Sequence, residues 1–219
     1  MDNLMATEHQ TPEGTDRTAK TTPHRHSAKT AENLEALFRE LTGVNEECLE
    51  VLHKHLSYRQ VRKNTVIIKP GDVNFNIYII LKGMGASYCI TKHGDCRYLY
   101  LPLPSYVVAD VHTLHDGSPA KDYFELMKGS AVAVIDGNIL KGLAKNHPAV
   151  SEWYINLLLR GLSTISGRLE DMISTDAKDR LMALLKDNPE LFSKAMKKQI
   201  AGFIGIDQST LSRLLSSKV

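Results

Sequence analysis

Between Tyr58 and Ile135 the chain breaks into seven short segments, TVII, FNIYIIL, ASYCIT, RYLYL, YVVADV, DYFEL and AVAVI, each rich in β-branched or aromatic residues. Turn-forming strings separate them: KPGD, KGMG, KHGD, LPLP, DGSP and MKGS. Short strands at this spacing predict an antiparallel barrel or jelly roll. On either side of these segments the pattern changes.

Those flanks read as helices. From Thr30, Leu34, Leu37, Phe38 and Leu41 fall on one helical face, and Asn45 is a fitting N-cap for a second helix with Glu46 and Glu47 in its first turn. After the strands, Pro148 suits a first helical turn, and Val150, Trp153, Tyr154, Leu157, Leu158, Ile165, Leu169, Met172 and Ile173 repeat at three and four residues. A helix from Pro148 to Ser174 would run roughly 40 Å, longer than a roll of this size can cover, so its apolar stripe needs a second partner. Residues 1 to 29, with Leu4 and Met5 their only large apolar side chains after the initial Met1, read as a disordered tail. The predicted organisation is therefore an α+β chain: the tail at 1–29, a roll at 30–146, a long helix at 147–174 and a helical unit at 175–219.

Composition narrows the class. Of 219 residues, 42% are hydrophobic and 24% charged, which excludes a chain disordered or low in complexity throughout. The longest apolar runs fall far short of the roughly 18 to 20 residues needed to cross a bilayer, and the N-terminus has no signal-peptide pattern, so a cytoplasmic protein with no membrane partner is expected. Cys48, Cys89 and Cys96 include no CxxC pair and read as reduced thiols. The motifs GxSxG, GxxxxGK[ST], GxGxxG and HExxH are absent, so nothing suggests an enzyme. His112 and His115 fall in a polar stretch without further ligands at metal-binding spacing, so no metal is assigned.

The net charge of +2 is unevenly placed, because the segment from Thr175 onward carries +3 while residues 30–174 carry −1. The basic excess coincides with the string KKQIAGFIGIDQSTLSRLLSS. A helix-turn-helix needs a small residue where two helices cross, a glycine able to take a positive φ at the turn, and buried aliphatics on both sides. Ala201, Gly205 and Leu211 meet those demands, Ile200, Ile204, Ile206 and Leu214 supply the core, and Asp207 stands as N-cap of the second helix. That helix should present Gln208, Ser209, Ser212 and Arg213 outward. Arg213 is then the candidate for bidentate contact with guanine, Gln208 and Ser209 for other base contacts, and Lys197, Lys198 and Thr210 for phosphates. The rival meaning of the same residues is an αα-hairpin with a solvated polar face.

A roll with the turns KPGD and KGMG, a long helix and a C-terminal QIAGFIGIDQSTLSRLL together resemble the Crp/Fnr superfamily of bacterial transcription regulators, relatives of the catabolite activator protein, over residues 30 to 219. The resemblance implies glycines shaping the roll at Gly71 and Gly83. It also implies a homodimer joined along the long helix, with one recognition helix per subunit in successive major grooves of double-stranded DNA. RNA polymerase is a further partner such regulators can touch, through a surface with no portable motif. The family often continues past the recognition helix, whereas Val219 lies six residues after Arg213, so further backbone contacts are expected from Lys194, Lys197 and Lys198. Where the family often carries Arg and Glu this chain has Gln208 and Ser209, so a different operator is expected.

Cyclic-nucleotide-binding members hold the ribose with a Gly-Glu pair and the phosphate with an Arg followed by Ser or Thr. By this resemblance Ala109 and Asp110 occupy the first pair and Ala120 and Lys121 the second. Lysine offers a point charge where arginine offers a planar fork, so cyclic AMP is not expected and no cofactor is assigned. Another small-molecule effector stays open, with Asp110 and Lys121 as its candidate contacts, against the alternative of a surface pair beside a filled pocket. A second functional class also stays open, a small-molecule-binding regulatory module acting through protein contacts.

Overall fold

The structure, a computed structural model, describes residues 28–216. Its elements run α1 (Ala28–Thr42), α2 (Glu46–Leu52), β1 (Ser57–Gln60), β2 (Thr65–Ile68), β3 (Asn76–Lys82), β4 (Gly85–Ile90), β5 (Cys96–Tyr100), β6 (Val107–Ala109), α3 (Val111–Asp116), β7 (Tyr123–Leu126), β8 (Ala131–Asp136), α4 (Gly137–Asn146), α5 (Pro148–Ser174), α6 (Ala177–Asp187), α7 (Leu191–Lys194), α8 (Lys197–Ile204) and α9 (Gln208–Ser216). The expected tail lies outside the described residues except for its last two, which open α1 ahead of Thr30.

The strands form two four-stranded antiparallel sheets, ordered β1-β8-β3-β6 and β2-β7-β4-β5. This is the predicted roll. The first sheet is apolar on both faces. Tyr78, Ile80, Val132 and Val134 point inward against Ile68, Phe124 and Leu126 of the second sheet, while Ile77, Ile79, Ala133 and Ile135 point outward under α1, α2, α4 and α5. Burial on both faces is why NIYIILK and AVAVID read as continuous apolar runs, whereas YFEL of β7 alternates half-buried and buried. Tyr78 and Phe124 close the inter-sheet space with tilted rings 6.0 Å apart, and Asn74 Nδ2 donates to the Tyr78 hydroxyl at 3.0 Å. A pair of this geometry contributes roughly 0.5 to 1.5 kcal/mol beyond its area.

Asn45 Oδ1 accepts from Cys48 N at 2.8 Å, so the expected N-cap of α2 forms. Gly83 is fixed by two constraints, a φ of +80° and a neighbour, since an added Cβ would stand 2.4 Å from Ser130 Oγ. That hydroxyl accepts from Met84 N and donates to Met84 O, tying the β3–β4 turn to the start of β8.

Four elements were not anticipated, among them the single turn α7 (Leu191–Lys194) just beyond Pro189. β1 lacks apolar alternation and is held at the sheet edge by its register on β8, from Ser57↔Val134 to Gln60↔Ala131. α3 replaces the expected polar loop around His112 and His115. α4 fills the stretch between the last strand and Pro148, its N-cap Asp136 accepting from Asn138 N and Ile139 N.

α5 has the expected bounds, but its apolar residues make two stripes rather than one. Val150, Trp153 and Leu157 are buried on the roll, with Trp153 tilted against Phe38 at 5.9 Å. Ile155, Leu158, Leu162, Ile165, Leu169 and Met172 follow one another at 3-4-3-4-3 spacing and are 43% to 60% exposed. Strict alternation of three and four is a 3.5-residue repeat, the seam of a left-handed coiled coil.

Candidate nucleic-acid interface

The C-terminal unit is built from its own small core. Leu181 of α6, Ile200, Ala201 and Ile204 of α8 and Leu211 of α9 are each at most 2% exposed. Gly205 takes φ +83° and ends α8, its N–H donating to Ala201 O, so the chain can reverse into α9 without a Cβ in the left-handed region. Asp207 then caps α9, Oδ1 accepting from Thr210 N at 2.8 Å. The helix-turn-helix read from the sequence is thus present, with small residue, glycine and cap at the positions their chemistry demands.

On its outer face Gln208, Ser209 and Arg213 are exposed, Thr210 and Ser212 half-buried. Ser209 Oγ donates to Asp207 Oδ1 at 2.6 Å, Thr210 Oγ1 donates to Asp207 Oδ2 at 2.8 Å, and Arg213 Nη2 donates to Thr210 Oγ1 at 3.0 Å. Ser212 Oγ donates to Gln208 O within the helix. The hydroxyl and amide donors hold the Asp207 carboxyl well below the usual carboxylate range, the Ser209 hydroxyl first among them. Lys197 and Lys198 open α8, exposed and without an ion pair among the described residues, whereas Lys194 is paired to Glu190 one turn away on α7.

Two arginines that the sequence reading passed over set how this unit sits. Arg168 of α5 lays its guanidinium over the Phe203 ring, 3.8 Å from the centroid, and donates to Phe203 O. Arg180 of α6 donates through Nε to Ile204 O at 3.1 Å and through Nη1 to Thr175 O. Both therefore satisfy carbonyls at the C-terminal end of α8, where the helix dipole favours cations. Burial lowers the pKa of Arg168, and the nearby Arg180 charge lowers it further. Only the basic type of these residues was visible in the sequence, because their partners are backbone carbonyls brought near by folding. The same two arginines, with Tyr100, Tyr106, Asp171 and Leu184, wall a cavity of about 290 Å³ between the roll and the helix-turn-helix unit.

The candidate effector contacts lie elsewhere. Asp110 is the N-cap of α3, Oδ1 accepting from Thr113 N at 2.8 Å, which gives its carboxylate a structural partner. Ala120 is buried and binds through its backbone, its N–H donating to Asp72 O and its carbonyl accepting from Gly71 N. Lys121 is exposed, and neither it nor Asp110 borders the interdomain cavity. Among the described residues no cluster of three His, Cys, Asp or Glu side chains could hold a metal. Trp153 belongs to the core beneath the roll's outer face, and burial pushes the Cys48 thiol up to about 11.

An antiparallel roll, a long helix with a free coiled-coil seam and a C-terminal helix-turn-helix together make the fold of the Crp/Fnr regulators. A Eubacterium rectale protein assigned to that family superposes with a TM-score of 0.62 at 17% identity, covering 83% of this chain and 87% of its own. FixK2 from Bradyrhizobium japonicum gives 0.60 at 17%, covering 74% and 83%. CLP, the c-di-GMP-responsive global regulator of Xanthomonas campestris, gives 0.62 at 16%, covering 80% and 91%. In sequence the chain is 22% identical over 184 residues to an anaerobic regulatory protein of Haemophilus influenzae, spanning 78% of this chain and 71% of that one. No family model matches.

Proposed function

We propose that this chain is a sequence-specific DNA-binding transcription regulator acting as a homodimer. The observation that carries the reading is the α8–turn–α9 geometry, with its own core on one side and Gln208, Ser209 and Arg213 exposed on the other. The proteins it resembles in fold are regulators rather than enzymes, and the free seam of α5 supports pairing with a second copy. Paired along α5, two subunits would present α9 to successive major grooves, about 34 Å apart along the duplex. In this reading Arg213 reads guanine and Lys197 and Lys198 meet phosphates.

The roll is proposed to work without cyclic AMP. Three features support this: by the resemblance Ala120 and Lys121 stand where a phosphate-binding arginine and its hydroxyl neighbour would be needed, Asp110 is held as a cap, and Tyr78 and Phe124 are buried between the sheets with their rings 6.0 Å apart.

Selection of binding sites from a random DNA pool, with and without cyclic AMP, tests the proposal beside Arg213→Ala. The expected result is an inverted repeat whose recovery does not depend on the nucleotide. Arg213→Ala should weaken binding by about 1 to 3 kcal/mol and relax one guanine position in each half-site. Unchanged affinity and preference in the variant would remove Arg213 from the interface. Binding of the nucleotide with no selection of DNA would favour a module acting through protein contacts.

A further inference from the structure

The hydrogen bonds at the start of α9 divide its polar residues into two kinds, and that division sets what each can do to DNA. A hydroxyl has one proton to donate and two lone pairs to accept with. Phosphate oxygens only accept, so a hydroxyl that anchors a phosphate must have its proton free. The Thr210 proton is given to Asp207 Oδ2, one lone pair takes Arg213 Nη2, and the Thr210 N–H is given to Asp207 Oδ1. Thr210 is therefore unfit for the phosphate role its position suggested. The Ser209 proton is given to Asp207 Oδ1 at 2.6 Å, but both its lone pairs remain open on an exposed side chain.

We propose that Asp207 and Thr210 form a positioning relay that fixes the Arg213 guanidinium for base reading, and that Ser209 reads only as a hydrogen-bond acceptor. The inference rests on the DNA-binding reading above and deepens it. Arginine loses rotamer freedom when it is ordered on DNA, and a guanidinium already tied to Thr210 Oγ1 loses less. Of the relay bond's two ends, Thr210 supplies an acceptor that Asp207 has oriented, since the threonine hydroxyl can point only one way while it donates to that carboxylate. Asp207 stays ionised far below neutral pH, so the orientation does not vary over the physiological range. For Ser209, acceptor-only character fixes the class of base edge: in the major groove only the amino groups of adenine and cytosine donate. The base it faces is adenine or cytosine.

Neither residue is assigned direct chemistry with phosphate, which gives the test a readout that structural damage does not mimic. Site selection is run on the wild-type chain, Thr210→Val and Ser209→Ala, with thermal unfolding of each. Thr210→Val keeps shape and the backbone cap while removing the hydroxyl. It is expected to unfold within a few degrees of wild type, and to lose roughly five- to tenfold of the preference for guanine at the position that Arg213→Ala also relaxes. Thr210→Ser, which restores the hydroxyl, is expected to recover that preference. Equal weakening on all sequences with the guanine preference intact would show a phosphate anchor and overturn the relay. Ser209→Ala is expected to relax one position occupied by adenine or cytosine, and guanine or thymine there overturns the acceptor assignment. A wild-type chain that selects no sequence overturns the DNA-binding reading and the relay with it, whereas a selective wild type matched by an equally selective Thr210→Val overturns the relay alone.

Discussion

At the scale of single residues, polar groups in this molecule nearly always have partners where they are buried, and the exceptions are informative. Ser130, fully buried, both donates to and accepts from Met84, and Thr42 donates to Phe38 O. The Tyr58 hydroxyl, by contrast, is buried without a hydrogen-bond partner, and burial raises its pKa. A hydroxyl removed from water with nothing in exchange costs about 1 to 3 kcal/mol, and deleting it together with its desolvation leaves ring packing unchanged. Tyr58→Phe is therefore expected to leave stability unchanged or raise it by about 1 kcal/mol, a rise of roughly 2 to 4 °C in Tm for a chain of this size. Calorimetry decides it, and a loss of more than about 1 kcal/mol would mean that the hydroxyl has a partner such as an ordered water.

At the scale of elements, what could be read from the sequence followed how each segment is covered. Strands buried on both faces announced themselves as apolar runs, and α5 by its long repeat and Pro148. The helix-turn-helix was legible to the residue, because Ala201, Gly205, Asp207 and Leu211 each answer a local demand. β1 was not legible, since SYRQ carries little apolar signal and is recruited by its pairing with β8. α3 and α4 were missed for another reason: each is short and of mixed composition, and the caps Asp110 and Asp136 look like turn residues until the helix behind them is known. Asp110 entered as a ligand candidate by the resemblance alone, which sets it at the Glu of the ribose-binding pair, with no signal in the sequence that it caps a helix. Gly202 illustrates what no local pattern could show. It lets α8 lie against β5, where an added Cβ would stand 2.7 Å from Tyr98 Cδ2 and 3.6 Å from Cys96 O. Alanine is the better helix former by about 1 kcal/mol, so within an isolated α8 the substitution would help. In the whole chain the Tyr98 ring, packed on Tyr88 at 5.7 Å, has to move. Gly202→Ala is expected to lower amide-exchange protection across β4 and β5 while leaving α9 unchanged, and equal protection in both proteins would show that α8 does not rest on this hairpin in solution.

At the scale of the molecule, α5 joins everything else, and its two stripes divide the work. The Val150, Trp153 and Leu157 stripe fastens the helix to the roll. Farther along, Arg168 reaches from the same helix to the Phe203 ring and carbonyl near the end of α8, so the helix that would pair two subunits also holds the helix-turn-helix in place. Rotation of α5 about its axis would therefore have to carry the helix-turn-helix unit with it or break the Arg168 contacts. The second stripe, from Ile155 to Met172, exposes six large apolar side chains in a row, the kind of contiguous patch that marks an interaction surface. A charge placed in its middle should split the proposed dimer without disturbing the roll, since neither Leu162 nor Leu169 belongs to a buried cluster. Leu162→Glu with Leu169→Glu is expected to sediment as a monomer with an unchanged far-ultraviolet circular dichroism spectrum. DNA affinity should fall steeply, because a single α9 engages one half-site where the pair engages two at high effective concentration. Analytical ultracentrifugation gives the deciding measurement: a dimer surviving both glutamates would place the subunit interface away from α5, and a monomeric wild type would leave the seam for another partner.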